Sequence, residues 1–194
     1  MGIELMQGPR VAKQFVTDYL SQDLPSRLIA YRNGWGLDDE SLPEPLEYLT
    51  FEPIGLDTWP TIISVVLSTN SLDRIDYVEE TFDPVYRANY SMRTYVWVKA
   101  DTAVEADEMR DNLTTVVRSA LLDYPCLQYA DTENRDVLLD EGSLREEFSE
   151  LTLLKGDRVM AGAYLAYTVS LNEVVARLPI AEISDIQIED WKMA

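Results

Sequence analysis

From Tyr86 to Lys99 the chain changes character at every second residue. Period-two alternation of this length specifies a long strand with one face toward a core. Met92, Thr94, Val96 and Val98 take one side, and Arg93, Tyr95, Trp97 and Lys99 take the other. Such a strand cannot bury its apolar side alone, so it needs a second layer. A cover follows at once in "DTAVEADEMRDNLTTVVRSALLDYP", where Ala106, Met109, Leu113, Val116, Val117, Ala120 and Leu121 line one helical face. Thr102 and Glu105 have capping-box spacing. Acids crowd the first turns, Arg118 comes late as the helix dipole prefers, and Pro125 closes the run. The spacing predicts a helix of about 20 residues, about 30 Å long.

The other elements are arranged around this pair. Pro9 suits a first helical turn, and Val11, Phe15, Val16, Tyr19 and Leu20 recur at helical spacing after it. A break is expected near Pro25, and "NGWG" at 33–36 ends the helix. Residues 36–60 carry Pro43, Pro45, Pro53 and Pro60 among many acids and read as a long inserted loop. "TIISVVLST" at 61–69 is a nearly continuous β-branched run, read as a buried central strand. Residues 70–84 are polar and acidic and read as a loop with a short strand at "IDYV". "QYADTENRDVLLDEGS" reads as loop, short strand and turn. Residues 145–154 and 158–174 alternate and are joined by "KGD", which makes a hairpin. In its second strand Val159, Ala161, Ala163, Leu165, Tyr167 and Val169 share a face, while Gly162 and Ala166 opposite leave room for another backbone. The order predicts one α+β domain over residues 1–178: a mixed or antiparallel sheet of four to five strands, a long helix on one face and an N-terminal helix. Residues 179–194 read as a C-terminal arm.

Several chemistries are missing. The sequence has no histidine, which removes the usual general base and the commonest metal ligand. Cys126 is the only cysteine, so no disulfide can form within the chain; beside Pro125 it reads as a small apolar residue rather than a nucleophile. No phosphate-binding glycine loop and no nucleophile elbow occur. Carboxylates are plentiful, and "LDDES", "LDRID" and "DTENRD" could in principle pair as acid and base or hold Mg²⁺ or Ca²⁺. Solvated acidic loops are the plainer reading of each. The N-terminus lacks the pattern of a secretory leader, and no window approaches the ~18 apolar residues of a membrane span, so a soluble intracellular protein is expected.

Charge sharpens the question posed by the stripe. The 35 acids outnumber the 16 bases, for a net charge of −19, and arginines outnumber lysines 12 to 4. A chain of this sign repels nucleic acid at long range. Arg93, Tyr95, Trp97 and Lys99 therefore admit three readings: a face covered by a loop or helix of the same chain, a contact between copies, or a platform for unpaired bases. Arg, Tyr and Trp dominate interface hot spots, which favours the contact between copies over base stacking.

The N-terminal helix, the "YVWVKA" strand, the "DTAVEADEMRDNLTTVVRSALL" helix and the "REEFSEL…KGDRVMAGAYLAYTVSLNEV" hairpin come in a characteristic order over about residues 10–178. Together they resemble the tail terminator proteins of long-tailed bacteriophages; the loop at 36–60 and the tail after Pro179 lie outside the match. The resemblance implies a homo-hexameric ring at the head-proximal end of the tail in the virion, assembled in the host cytoplasm. Such a ring stops polymerisation of the tail tube protein and receives the head–tail connector proteins. It implies no enzyme activity, no cofactor and no membrane, with DNA passing through unbound. Arg93, Tyr95, Trp97 and Lys99 would then form the subunit interface. Asp73, Asp76, Glu79, Glu80, Asp83, Asp131, Glu133, Asp136, Asp140 and Glu141, on acidic loops at 72–83 and 131–141, would face the bore or the tube. A halophilic source would give the same acidity. Alternatives are a head–tail connector, tail-completion or tail-tube subunit and, from another class, an acid-rich metal-dependent hydrolase.

Overall fold

A computed structural model describes residues 8–53, 55–79, 82–123, 137–149, 152–153 and 158–175. The chain opens on helix α1 (Pro9–Trp35), with Pro9 in the first turn as expected. Helix α1 does not break at Pro25. An interior proline costs about 3 kcal/mol through its lost N–H and its ring clash. Leu20, Leu24 and Leu28 around it are fully buried. Burying each such side chain is worth about 1.5–3 kcal/mol, so tertiary packing outweighs the local penalty. The helix ends where Gly36 takes a left-handed conformation (φ 68°) and the Leu37 N–H returns to the Arg32 carbonyl at 3.0 Å.

Among the described residues six strands follow: β1 (Glu47–Leu49), β2 (Thr61–Tyr77), β3 (Pro84–Ala100), β4 (Val137–Phe148), β5 (Thr152–Leu153) and β6 (Val159–Val174), with helix α2 (Ala103–Asp123) between β3 and β4. The sheet runs β1-β2-β3-β6-β4, with β5 also pairing with β6. Only β1–β2 is parallel, so the sheet is mixed and the fold is α+β. The hairpin expected from residues 145–174 is present as β4 and β5 against β6, although β4 starts earlier, at Val137.

Both helices cover one face. Ala88, Tyr90, Met92, Val96 and Val98 of β3 and Val159, Ala161, Leu165, Tyr167, Val169 and Leu171 of β6 join the buried residues of α1 and α2 in one core. In α2 the capping box forms as the spacing predicts: Thr102 N–H to Glu105 Oε2 and Glu105 N–H to Thr102 Oγ1, both 3.2 Å. Tyr19 ties the helices together by donating to the Ala120 carbonyl at 2.8 Å. The sheet holds a buried polar chain in the same core: Ser64 Oγ lies 3.0 Å from Thr94 Oγ1, which lies 2.6 Å from the Tyr167 hydroxyl. Burial pushes that hydroxyl above the ordinary tyrosine range.

Three expectations need correction. Residues 70–77 are not a loop; they continue β2, which pairs with β3 as far as Tyr77–Pro84. Alternation fails there because the outer half of the ribbon is exposed on both faces and needs no apolar side. Nor is β2 central: outside it lies only β1, opposite Thr61–Ile63, and its burial ends after Val65. The inserted loop at 36–60 contributes that strand and also buries Leu42. The "KGD" turn, "DTENRD", Cys126 and the arm at 179–194 lie outside the described residues.

Candidate functional site

The face of β3 turned away from the helices carries Arg93, Tyr95, Trp97 and Lys99, each half-buried. Register builds a patch around them. Tyr95 stands opposite Tyr164 of β6, with ring centres 5.6 Å apart. The Arg93 guanidinium lies 4.4 Å from the centre of the Tyr164 ring, a cation–π distance. The Tyr164 hydroxyl donates to the Glu147 carboxylate of β4, and this bond above all holds it above the usual tyrosine range. Trp97 faces Gly162, and its six-membered ring fills the space a side chain there would occupy. The vacant side of Gly162 thus receives an indole, not the neighbouring backbone that was expected.

Residues 52–53 and 55–59 form the other wall. Lys99 Nζ lies 5.9 Å from the centre of the Trp59 ring. Glu52, Pro53, Gly55, Leu56 and Trp59 enclose, with Ile63, Tyr95, Trp97 and Met160, a cleft of about 350 Å³. Its floor is apolar, since Ile63 is buried on this side of the sheet. A segment of the same chain therefore flanks the stripe and leaves a cleft between. A polar hollow of about 400 Å³ adjoins it across Lys99, where Glu40, Asp101, Glu105 and Glu108 face Lys99 and Arg158.

Neither Arg93 nor Lys99 forms an ion pair among the described residues; Arg10, Lys13, Arg74, Arg87 and Arg145 are likewise without one, whereas Arg27, Arg32, Arg110, Arg118 and Arg158 are paired. Arg93 Nε is buried without a hydrogen-bond partner among the described residues. Beyond Arg93 the same face is polar and carries one further cation, Arg87. Asn89 Nδ2 donates to Ser71 Oγ at 2.7 Å, Ser91 Oγ donates to Asn70 Oδ1 at 3.0 Å, and Arg87 Nε donates to Asn172 Oδ1 at 3.3 Å.

The acidic candidates do not converge. Asp73 and Asp76 stand on β2 rather than on a loop, and Asp73 pairs in register with Arg87. Glu79 is exposed and Asp83 half-buried near the turn of the same hairpin. Asp140 and Glu141 lie on strand β4, two strands away from β3, and Asp140 Oδ1 accepts the Gly142 N–H at 3.1 Å. Glu80, Asp131, Glu133 and Asp136 lie outside the described residues. Among the described residues, no three carboxylate or cysteine side chains come together in a way that could hold a metal ion. No helix among them is long and apolar enough to cross a membrane.

Trp59, Tyr164 and Ile63 belong to the patch but were not legible as part of it. Tyr164 alternates with Gly162 and Ala166, which was the available signal. Trp59 and Ile63 join only through register and loop path, which one sequence does not disclose. No family model matches the chain, and no curated protein matches it.

Proposed function

We propose that this chain is a structural subunit that assembles with copies of itself into a ring, acting as a tail terminator in a long-tailed bacteriophage. The observation that carries the reading is the sheet face turned away from α1 and α2. It presents an open aromatic cleft flanked by Arg93 and Lys99, two cations without an ion-pair partner among the described residues. Large aromatics beside unpaired arginine and lysine make the composition of a contact hot spot. In a molecule of net charge −19 such a patch attracts the rest of an identical surface. An N-terminal helix, strands β1 to β3, the long helix α2 and the closing strands β4 to β6 support this reading, with β1 added from the loop that lay outside the resemblance.

On this reading the ring caps the tail tube, meets the connector proteins of the head, and keeps carboxylates toward the DNA so that phosphates do not adhere. Sedimentation of the purified chain tests ring formation, and a chain that stays monomeric at every concentration refutes it. Electron microscopy of particles lacking the protein tests the role. Overlong tails are the expected result, whereas free tails of normal length point to a connector.

A further inference from the structure

Two apolar surfaces of this chain stand at opposite ends of β3. One is the cleft between residues 52–53 and 55–59 and the stripe. The other is the distal half of the β2–β3 hairpin, where Leu67, Leu72, Ile75, Tyr77 and Phe82 are 41–68% exposed. This arm is not built for strand addition. Three register shifts interrupt β2, and Leu67 and Ile75 sit at two of them, between Val66/Ser68 and Arg74/Asp76. Bulges on an edge strand twist its backbone away from further pairing, so the arm offers side chains rather than a hydrogen-bonding edge.

The arm cannot reach the cleft of its own chain. Val85, opposite Asp76, is ten residues from Tyr95 along β3, which is about 33 Å of strand. Over that length β3 is hydrogen-bonded to β2 on one side and β6 on the other, which makes a stiff ribbon that does not fold back. On the arm Asp73, Asp76, Glu79 and Asp83 outnumber Arg74 and Arg87, so its charge is opposite in sign to that of Arg93 and Lys99. Asp73, Asp76 and Glu79 on the arm form no ion pair among the described residues, and neither do Arg93 and Lys99 beside the cleft.

We infer that the β2–β3 arm of one copy docks its apolar side chains into the aromatic cleft of a second copy, with Asp73, Asp76 and Glu79 turned toward the partner's Arg93 and Lys99. This rests on the ring reading and deepens it, and it assigns these three acids to the contact between copies instead of the bore. Arm and cleft are different surfaces carried once by each chain, so the contact is head-to-tail, and on the ring reading its rotation closes rather than running on as a filament.

Mixing complementary variants of the full-length chain tests this. An arm variant, I75D/F82D, changes two exposed side chains; a cleft variant, L56D/K99E, changes the rim and leaves the sheet intact. Circular dichroism and thermal melting confirm that each folds. Each alone is expected to associate about thirtyfold or more weakly than the wild type, as loss of a hot spot does. Together they retain one good arm and one good cleft, so an equimolar mixture is expected to give a one-to-one dimer and no ring. Wild-type assembly by the arm variant, or two monomeric variants that form no dimer when mixed, overturns the inference while leaving the ring reading in place. A wild-type chain that never associates removes the ring reading itself.

Discussion

The Trp97 ring occupies the place of the side chain that Gly162 lacks: a Cβ built on Gly162 would lie 2.3 Å from Trp97 Cζ3 and 2.5 Å from Cε3. Contacts that short do not exist in folded proteins, so one residue must yield. Gly162→Ala is therefore expected to displace the indole and destabilise the fold by about 1–3 kcal/mol, the usual cost of overpacking. Urea unfolding measures the loss, and a changed tryptophan emission spectrum before unfolding reports the displaced ring. Unchanged stability would mean that the indole moves aside freely.

Tyr19 links α1 to α2 through a neutral hydroxyl. Burial, helped by the nearby Asp23 carboxylate, pushes its pKa from the ordinary 10.0 up to about 12. A folded-state pKa above the unfolded one gives stability that is complete below pH 10 and is lost as pH rises toward 12. Tyr48, Tyr90 and Tyr167 are raised as well, each chiefly by burial, and steepen the same decline. Tyr19→Phe is expected to cost about 1 kcal/mol at neutral pH, through the bond lost from the Ala120 carbonyl. It should also make the alkaline loss of stability shallower; chemical denaturation at a series of pH values reads both effects.

Thr102→Ala removes one half of the capping box of α2. The expected loss is about 1 kcal/mol, and Thr102→Ser should recover most of it because a hydroxyl is retained. Thermal melting of the two variants decides the point.

Arg110 is a charge on the buried side of α2, with a side chain only 8% exposed. It is held by Asp107 and Asp111 at 2.5 and 2.7 Å and lies 5.0 Å from the centre of the Phe148 ring of β4. Both carboxylates are about half exposed, so water solvates them once the arginine is gone. Arg110→Ala is expected to cost about 2 kcal/mol, below the 3–5 kcal/mol of a fully buried pair, and Arg110→Met about half as much because its chain still packs on Phe148. Equal losses for the two would show that packing contributes little.

Local signals carried much of the fold. The alternation of β3, the face and cap of α2, Pro9 at the start of α1 and the strands closing the chain all depend on residues a few positions apart. Such residues interact whatever the rest of the molecule does. The stripe Arg93, Tyr95, Trp97 and Lys99 was legible for the same reason, as one side of a strand. Sequence by itself also settled that these 194 residues hold no histidine and are strongly acidic.

Tertiary structure decided what local pattern could not. Helix α1 continues through Pro25 because three distant contacts outweigh one local penalty. Residues 70–77 form a strand because β3 supplies the hydrogen bonds that their polar side chains do not predict. Register alone puts Tyr164 beside Arg93 and Gly162 under Trp97, and the path of residues 52–53 and 55–59 alone converts a stripe into a cleft. Periodicity names the face on which a side chain lies. Only the pairing of remote segments, whose free energy is spread over many contacts, names the neighbours it meets there.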